Sequence, residues 1–359
     1  MTVTEDLQAN RAALVMINPA PYNAEAPPAG MTGEITPTDL HYVRSNFPLP
    51  THDGTLEITG AVENPITLTI DDLRALPAHE HAVTLECAGN GRLAMRPLPT
   101  GEPWGDYAVS TALWKGARLS DVLALANPSA DGSDVKFEGA DHGAYHLNPV
   151  LPETSRVDLK FERALPLALA ADPAAQILIA YEMNGQPLRP DHGAPFRVIV
   201  PHWYAVASVK WLKQIEVLTE PFVGEFQTGH YMYQWPDRPQ EIVSLMRVRA
   251  RITDPPAEST LDTGPCTVRG KAWSGQGPVT SVEVSLTGEG DWHPAQLQPP
   301  TGPYHWQDWT YTWDAADVGR HTLRARATDA AGNVQPEVPP WNRLGYGNNA
   351  IEVIFVDIR

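Results

Sequence analysis

The stretch VTLECAGNGR, residues 83–92, carries the signal on which the fold assignment depends. Its first residues are mostly apolar or β-branched, which is typical of a strand, and a glycine-rich turn follows directly after Cys87. Such a turn supplies access and backbone N–H donors, and Arg92 adds positive charge, both of which activate a thiol. A lone cysteine is more often a small buried hydrophobic residue, but this surrounding sequence favours a functional thiol. The spacing leaves open whether Cys87 is a metal ligand or a nucleophile paired with a histidine.

A second cluster of polar residues lies in DHGAPFR, residues 191–197. His192 and Arg197 flank a glycine turn at the start of an apolar stretch, and Lys210 follows further along the chain. A histidine, an arginine and a lysine that converge would suit a phosphate or another polyanionic ligand. Each of them alone is more often a solvated charge at a strand end. We favour the anion site because the chain is acidic overall yet concentrates cations beside glycine turns.

A third group combines arginine with aromatic residues, as expected for a pocket that holds a small oxyanion in an acidic protein. It comprises Arg44, Arg92, Trp104 and Tyr231. Trp104 has the alternative role of a core residue, and Tyr231 that of a surface aromatic. Asp141, in FEGADHG, has the alternative role of a turn former.

The composition is that of a globular protein and excludes several classes of function. The chain has 359 residues, enough for two domains of ordinary size, with 42% hydrophobic and 19% charged residues. Its 35 prolines disfavour long helical bundles and suit loops and edge strands. The net charge of −17 argues against binding to nucleic acid or to an anionic membrane surface.

The two cysteines, Cys87 and Cys266, are too few for a disulfide framework, and we interpret Cys266 as structural. Residues 1–30 carry early acids and several prolines, unlike a secretory signal or a transit peptide. No apolar run in the sequence is long enough to cross a bilayer. We therefore expect a cytoplasmic protein.

The pattern of apolar residues changes near residue 245. Before it, strand-like stretches are interspersed with helical ones, of which the clearest is residues 119–126, with Ser120 or Asp121 as the cap. After it, segments such as CTVRGKAW and HTLRARATD alternate with period two, at the spacing of a β-sandwich. The sequence therefore predicts an α+β domain over residues 1–245 and an all-β immunoglobulin-like sandwich over residues 246–359.

With these blocks in order, the chain resembles the sulfite oxidase family of molybdopterin enzymes over nearly its whole length. VTLECAGNGR matches the family pattern V-T-L-x-C-A-G-N-x-R. The run YEMNGQPLRPDHGAPFRVIVP, residues 181–201, matches the longest signature of the family, and VKWL at residues 209–212 follows at the expected distance. The C-terminal segments RGKAWSG, VEVSL and WNRLGYGNN resemble the immunoglobulin-like dimerisation domain of the family, which implies a homodimer.

The resemblance implies a role for each matched position. Cys87 would be the one protein thiolate that binds molybdenum, beside the dithiolene of the pterin, and a soft thiolate suits that metal. The positions that match cofactor contacts in the family are Tyr42, Val43, Arg44, Ser45, Asn46, Asp141, His192, Arg197, Ser208, Val209 and Lys210. The positions assigned to the substrate pocket of the sulfite-oxidising members are Arg44, Arg92, Trp104, Tyr231 and Arg343.

The sequence departs from the family pattern near the substrate. Gly91 stands where the family has the first arginine of a pair. WNRLG, residues 341–345, replaces the Trp-Asn-Leu-Arg-Gly of vertebrate members, so Arg343 either reaches the pocket or points away from it. Tyr231 lies in GHYMY in place of the Asp-Tyr of the family, which makes Tyr233 an alternative.

The resemblance implies oxidation of sulfite to sulfate by oxygen-atom transfer, with a molybdenum–molybdopterin cofactor. We expect no haem, because the sequence has neither a His-Pro-Gly-Gly block nor a C-x-x-C-H motif, so electrons would pass to an external acceptor. One alternative is a reductase of the same fold that acts on nitrate or on an S- or N-oxide. The other is a non-catalytic cofactor-binding or adhesion module.

Overall fold

The structure, a computed structural model, describes residues 11–146 and 156–359 and consists mainly of β-strands. The strands of the N-terminal part are, in chain order, β1 (Val15–Pro19), β2 (Tyr22–Glu25), β3 (Thr55–Gly60), β4 (Ile66–Thr69), β5 (Ala78–Glu86), β6 (Val109–Arg118), β7 (Asp134–His146), β8 (Arg156–Pro166), β9 (Leu178–Met183), β10 (Gln186–Pro187), β11 (Arg197–Ile199), β12 (Leu212–Leu218), β13 (Met232–Tyr233) and β14 (Glu241–Ile242).

Two sheets of five strands each form the framework of this part. One has the order β10-β9-β6-β5, with β11 paired to β9, and the other has the order β4-β3-β12-β7-β8. The β5–β6 ladder runs from Ala78 opposite Ala117 to Glu86 opposite Val109. Nine paired residues fix the register of this ladder, and the register in turn fixes the position at which Cys87 leaves the sheet.

The α-helices of the described residues are short: α1 (Ile70–Ala75), α2 (Leu119–Ala126) and α3 (Leu167–Ala170). The bounds of α2 agree with the predicted helix, but the predicted cap was wrong. The helix begins at Leu119, which is fully buried, so the capping position falls on Arg118, whose side chain makes no cap hydrogen bond. Asp121 lies in the first turn instead, where its carboxylate accepts from Arg118 Nε at 3.1 Å. None of these helices has the length and hydropathy of a membrane span.

The C-terminal part is built from strands alone. In chain order they are β15 (Arg249–Asp254), β16 (Ser259–Leu261), β17 (Gly264–Trp273), β18 (Val279–Ser285), β19 (His293–Pro294), β20 (Gln296–Leu297), β21 (Gln307–Ala315), β22 (Gly319–Asp329) and β23 (Glu352–Ile358). They form two sheets, β15-β17-β21-β20 and β16-β23-β22-β18-β19. Val268 and Trp309 of the first sheet share one buried core with Val282, Leu323 and Val356 of the second. The prediction of an α+β domain followed by an all-β domain is confirmed.

A glycine turn brings the cationic residues of the second sequence cluster together. Gly193 has φ +99°, in the left-handed region that favours glycine, and a Cβ there would lie 3.0 Å from Lys210 Cβ. β11 begins at Arg197 directly after this turn, and Val198 N donates to Val209 O at 2.9 Å. This pairing places Lys210 beside Gly193 and Arg197, which precede it in the chain by more than a dozen positions.

Candidate functional site

A cavity lies where Cys87 leaves β5, and it collects most of the residues that the sequence predicted for a site. Those that line it are Tyr42, Val43, Arg44, Ser45, Asn46, Cys87, Asp141, His192, Arg197, Ser208, Lys210 and Tyr231. Residues from distant parts of the chain therefore converge on one concave space, as is typical of a ligand site.

Cys87 is 6% exposed and forms part of the cavity wall. Burial raises the pKa of its thiol, while the nearby Arg44 guanidinium and the backbone N–H of Gly89 oppose that shift. A thiol in this position is held neutral until a cation displaces its proton, because a coordinating thiol is deprotonated by the metal.

One end of the cavity carries Arg197 and Lys210. Arg197 donates only to backbone carbonyls, to His192 O at 3.1 Å and Ser208 O at 2.8 Å, while Lys210 Nζ donates to Ser45 Oγ and to Asp191 O, both at 2.9 Å. Burial lowers the pKa of both cations. Neither forms a salt bridge with a carboxylate of residues 11–146 or 156–359, and a buried cation without a counterion is costly. This end therefore suits an anionic group supplied by a ligand.

Arg44 brings a further cation to the cavity wall. Its guanidinium donates to Asn46 Oδ1 at 2.6 Å, to Asn23 Oδ1 at 3.3 Å and to the carbonyl of Ser45. These acceptors are all neutral, so within the described chain this guanidinium also has no carboxylate partner. Although burial acts to lower its pKa, the neighbouring Tyr231 and Cys87 raise it overall, and Arg44 stays charged.

Two buried polar atoms in the wall have no hydrogen-bond partner among the described residues: Asp141 Oδ1 and His41 Nε2. Burial raises the pKa of Asp141, and Lys210 opposes that shift. His41 Nδ1 lies 2.9 Å from Tyr42 O, which only accepts, so the proton sits on Nδ1 and Nε2 is left as an acceptor. Buried polar atoms are nearly always paired, so these two acceptors are suited to donors on a bound molecule.

Tyr231 and not Tyr233 reaches the cavity. Tyr231 stacks on Tyr346 with ring centroids 5.0 Å apart, while Tyr233 packs against Trp235 and lies under the guanidinium of Arg247. The alternative raised by the GHYMY sequence therefore resolves in favour of Tyr231 as the cavity residue.

Arg92 is separated from the cavity by the stacked rings of Tyr346 and Tyr231. Its Nε donates to Leu344 O at 2.9 Å and its Nη1 to Glu102 O at 2.7 Å. The guanidinium carbon lies 5.2 Å from the ring centroid of Tyr346, which in turn stacks on Tyr231. Arg92 is not among the residues that line the cavity, although it is buried and close to it.

Three more of the predicted site residues lie outside the cavity lining. Trp104 is 1% exposed and packs in the same apolar cluster as Cys87. Val209 is buried and pairs through its carbonyl with β11. Arg343 is exposed, so of the two orientations open to it in the sequence it takes the outward one.

Two protein families match the chain, and together they span most of it. Residues 46–226 match the oxidoreductase molybdopterin binding domain, and residues 240–357 match the Mo-co oxidoreductase dimerisation domain. The chain belongs to the sulfite oxidase family of molybdopterin-binding oxidoreductases. The members of this family are oxidoreductases, which agrees with the class that the sequence predicted.

Relatives within the sulfite oxidase family differ in their activities. The mitochondrial sulfite oxidase of Homo sapiens is 36% identical over 96% of this chain and 66% of its own length, and that of Mus musculus is 35% identical over 94% and 64%. An NADH nitrate reductase of Phaseolus vulgaris is 35% identical over 92% of this chain and 40% of its own length. The chain thus spans less than two thirds of the length of these relatives. Among solved structures, the sulfane dehydrogenase SoxCD of Paracoccus pantotrophus superposes with a TM-score of 0.82 at 27% identity, covering 95% of this chain and 85% of that one.

Sequence reasoning missed His41 in the cavity wall, and it also missed a buried arginine near the site of the sulfite oxidase family. Arg163 in β8 is 1% exposed and donates to Phe226 O at 2.6 Å and Val243 O at 3.1 Å, the two ends of the segment that carries Tyr231. Like Arg44, it has no carboxylate partner in the described part of the chain. The sequence held one signal for this burial. Arg163 lies two residues after Phe161, on the face of β8 where every second residue is otherwise apolar, so its side chain points toward the core.

The two histidines of this family member's cavity predict a pH dependence of stability. Burial lowers the pKa of His41 to about 3 and that of His192 well below its usual value. In the unfolded chain both take up protons near pH 6.5, so as the pH falls through that value protons favour the unfolded state. The stability that neutral His41 contributes is present above that pH and is lost progressively toward pH 3.

Between pH 6.5 and 4.5 we expect the free energy of unfolding to fall less steeply in His41→Gln than in the native protein. The difference between the two slopes should be about 1.4 kcal/mol per pH unit. Urea unfolding of the cofactor-free protein at several pH values measures this difference. The exposed His142 offers a matched control, since His142→Gln should follow the native curve. Parallel curves for native protein and His41→Gln would contradict the burial argument.

Proposed function

We propose that the chain is a molybdenum-dependent enzyme that oxidises sulfite to sulfate and passes the electrons to an external acceptor. The observation that carries this proposal is the cavity itself, where a buried thiol shares one space with cations that form no salt bridge to a carboxylate of residues 11–146 or 156–359. A thiol suits a soft metal, and uncompensated cations suit both a cofactor phosphate and a dianionic substrate.

The residues present fit a molybdenum–molybdopterin group. Cys87 would bind the metal, and Arg197 and Lys210 would hold the phosphate of the pterin. The unpaired acceptors Asp141 Oδ1 and His41 Nε2 suit the N–H donors of a pterin ring. When bound, this group supplies two-electron redox chemistry and oxygen-atom transfer, which no side chain provides.

The side chains near Cys87 would bind and orient the substrate. Arg44 is positioned to donate charge-assisted hydrogen bonds to a sulfite oxygen, because its guanidinium lies in the wall and keeps its charge. The Tyr231 hydroxyl supplies a further donor at the same wall, and the stacking of the ring on Tyr346 restricts its orientation. Such preorganised donors stabilise developing charge without rearrangement of solvent.

Nitrate reduction is the second candidate function, because plant nitrate reductases are as similar to this chain as several animal sulfite oxidases are. We favour sulfite because this chain covers 66% of the length of the human sulfite oxidase but only 40% of that of the plant nitrate reductase. The convergence of thiol and cations in one cavity also argues against a purely adhesive module.

Steady-state assays of the molybdenum-loaded protein with sulfite, nitrate and methionine sulfoxide test this proposal. With ferricyanide as the acceptor, we expect sulfite oxidation, and with reduced viologen we expect kcat/KM for nitrate and for the sulfoxide to be at least ~100-fold lower. Protein without molybdenum serves as the blank. Nitrate turnover that exceeds sulfite turnover would overturn the choice of substrate.

The match to a dimerisation family supports a further part of the proposal, that the partner of this chain is a second copy of itself. The relative named sulfane dehydrogenase SoxCD supports the expectation of a separate electron acceptor.

A further inference from the structure

We infer that the C-terminal domain holds the segment that carries Cys87 in position, through a buried ion pair between Glu86 and Arg249. We call residues 86–91 the Cys87 loop. The inference builds on the proposed role of Cys87, and it makes Glu86 and Arg249 positioning residues, since neither lines the cavity.

Glu86 precedes Cys87 and is 2% exposed. Its Oε1 accepts from Arg249 Nη1 at 3.2 Å and from Asn90 Nδ2 at 2.9 Å. Its Oε2 accepts from Trp273 Nε1 at 2.9 Å. Both carboxylate oxygens are therefore engaged, and two of the three donors come from the C-terminal strands β15 and β17.

The rest of the Cys87 loop is bound to the C-terminal part as well. Ala88 O accepts from Gly347 N at 2.7 Å, and Gly91 O accepts from Asn348 Nδ2 at 2.6 Å. Arg249 Nη1 also donates to Asn348 O at 3.3 Å, so one guanidinium ties both contacts together. Residues on both sides of Cys87 are thus fixed by groups more than 150 positions away in sequence.

Gly91 allows this close approach. Its φ of +79° lies in the left-handed region that favours glycine, and a Cβ there would lie 2.9 Å from Asn348 Nδ2 and 3.3 Å from Arg249 Nη2. A side chain at this position would therefore press against the group that holds the loop.

The charges of this network are compensated, unlike those of the cavity. Arg249 Nη2 donates to Asp106 Oδ1 at 2.6 Å, and Arg251 forms salt bridges with Asp106 at 3.5 Å and Glu352 at 3.3 Å. Each charged group of this network therefore lies within salt-bridge distance of an opposite charge, so the network offers less to a ligand than the cavity cations do. Its consequence is geometric: it fixes the strand end from which the Cys87 thiol projects, and groups that orient a metal ligand affect metal affinity and activity.

The accessibility of the Cys87 thiol tests this inference without any metal or substrate. In cofactor-free protein carrying Cys266→Ser, only Cys87 can react with a disulfide reagent such as DTNB. We expect Arg249→Met to raise the rate of this reaction at least ~10-fold, because the loop then opens locally more often. In molybdenum-loaded protein the same substitution should lower kcat for sulfite more than it raises KM.

Lys271→Met is the matched control, because it breaks a salt bridge of the same domain, Lys271 Nζ to Asp308 Oδ1 at 2.6 Å, with Lys271 itself 2% exposed. At an equal loss of melting temperature it should leave the reaction rate of Cys87 unchanged. An equal rate in native protein and Arg249→Met, or an equal increase in both variants, overturns the inference.

If Arg249→Met does not fold, the double variant Glu86→Gln, Arg249→Gln replaces it, since it removes both charges and retains groups that can form a hydrogen bond. We expect a rate between those of native protein and a fully open thiol, and a native rate would again overturn the inference. Failure of sulfite turnover together with an increased rate of the thiol reaction would refute the proposed function alone.

Discussion

Replacing Cys87 by serine should lower sulfite turnover by more than ~100-fold and reduce the molybdenum content of the protein. The two side chains have nearly the same shape, so the packing of this buried position is retained. The serine hydroxyl is a hard donor that stays protonated near neutral pH, whereas the thiolate is soft and binds molybdenum well. Loss of groups that merely orient a ligand already costs 10–100-fold, so loss of the ligand itself should cost more.

Elemental analysis and steady-state kinetics on the same preparations measure this effect. Cys266→Ser is the matched control, because that thiol lies in β17 of the C-terminal domain, outside the cavity lining, and should be replaced without loss of metal or activity. Native activity in Cys87→Ser would remove the basis of the proposed metal site.

Arg44→Met should lower kcat/KM for sulfite by about 100-fold, which corresponds to about 3 kcal/mol. Methionine approximates the length of the side chain but removes a cation that has only neutral acceptors in the described chain. Charge-assisted hydrogen bonds to an anion are the strong ones, and in a buried site they are weakly screened. Because Arg44 also matches a cofactor contact, the rates are expressed per bound molybdenum.

Arg343→Met is the matched control for this substitution. Arg343 is exposed and lies outside the cavity lining, so its loss should change kcat/KM by less than about twofold. Arg44→Lys should fall between native protein and Arg44→Met, because it keeps the charge and loses the planar fork. An unchanged kcat/KM in Arg44→Met would show that Arg44 has no part in binding the substrate.

The distribution of charge separates two kinds of buried polar group in this protein. Within the described part of the chain, Arg197 and Lys210 donate to neutral acceptors only, so they are suited to bind the anionic group of a ligand. Arg249 lies at a similar depth but meets two carboxylates, Glu86 and Asp106. The first arrangement is typical of a binding site and the second of a structural contact, because only the first has no counterion among the residues that the structure describes.

The fold was predictable where local pattern decides it. The period-two stretches of β17 and β22 and the helix α2 are visible in the sequence, since burial of one face sets the spacing of apolar residues. The cap of α2 was not predicted, because the capping position falls on Arg118, whose side chain makes no cap hydrogen bond.

The site was predictable where a motif carries it. Cys87, His192 and Lys210 stand in sequence blocks that resemble a family, and the structure places all three in one cavity. The pairing of Glu86 with Arg249 depends on how two domains meet, which no local pattern encodes. Whether Arg343 faces inward depends on the register of an extended segment, which the sequence alone left open.

X-ray absorption at the molybdenum edge of the loaded protein tests the central claim most directly, because it counts the sulfur atoms bound to the metal. We expect native protein to have one more sulfur neighbour than Cys87→Ser, with the remaining sulfur shell unchanged. Identical sulfur shells in the two proteins, at equal molybdenum content, would contradict the assignment of Cys87 as the metal ligand.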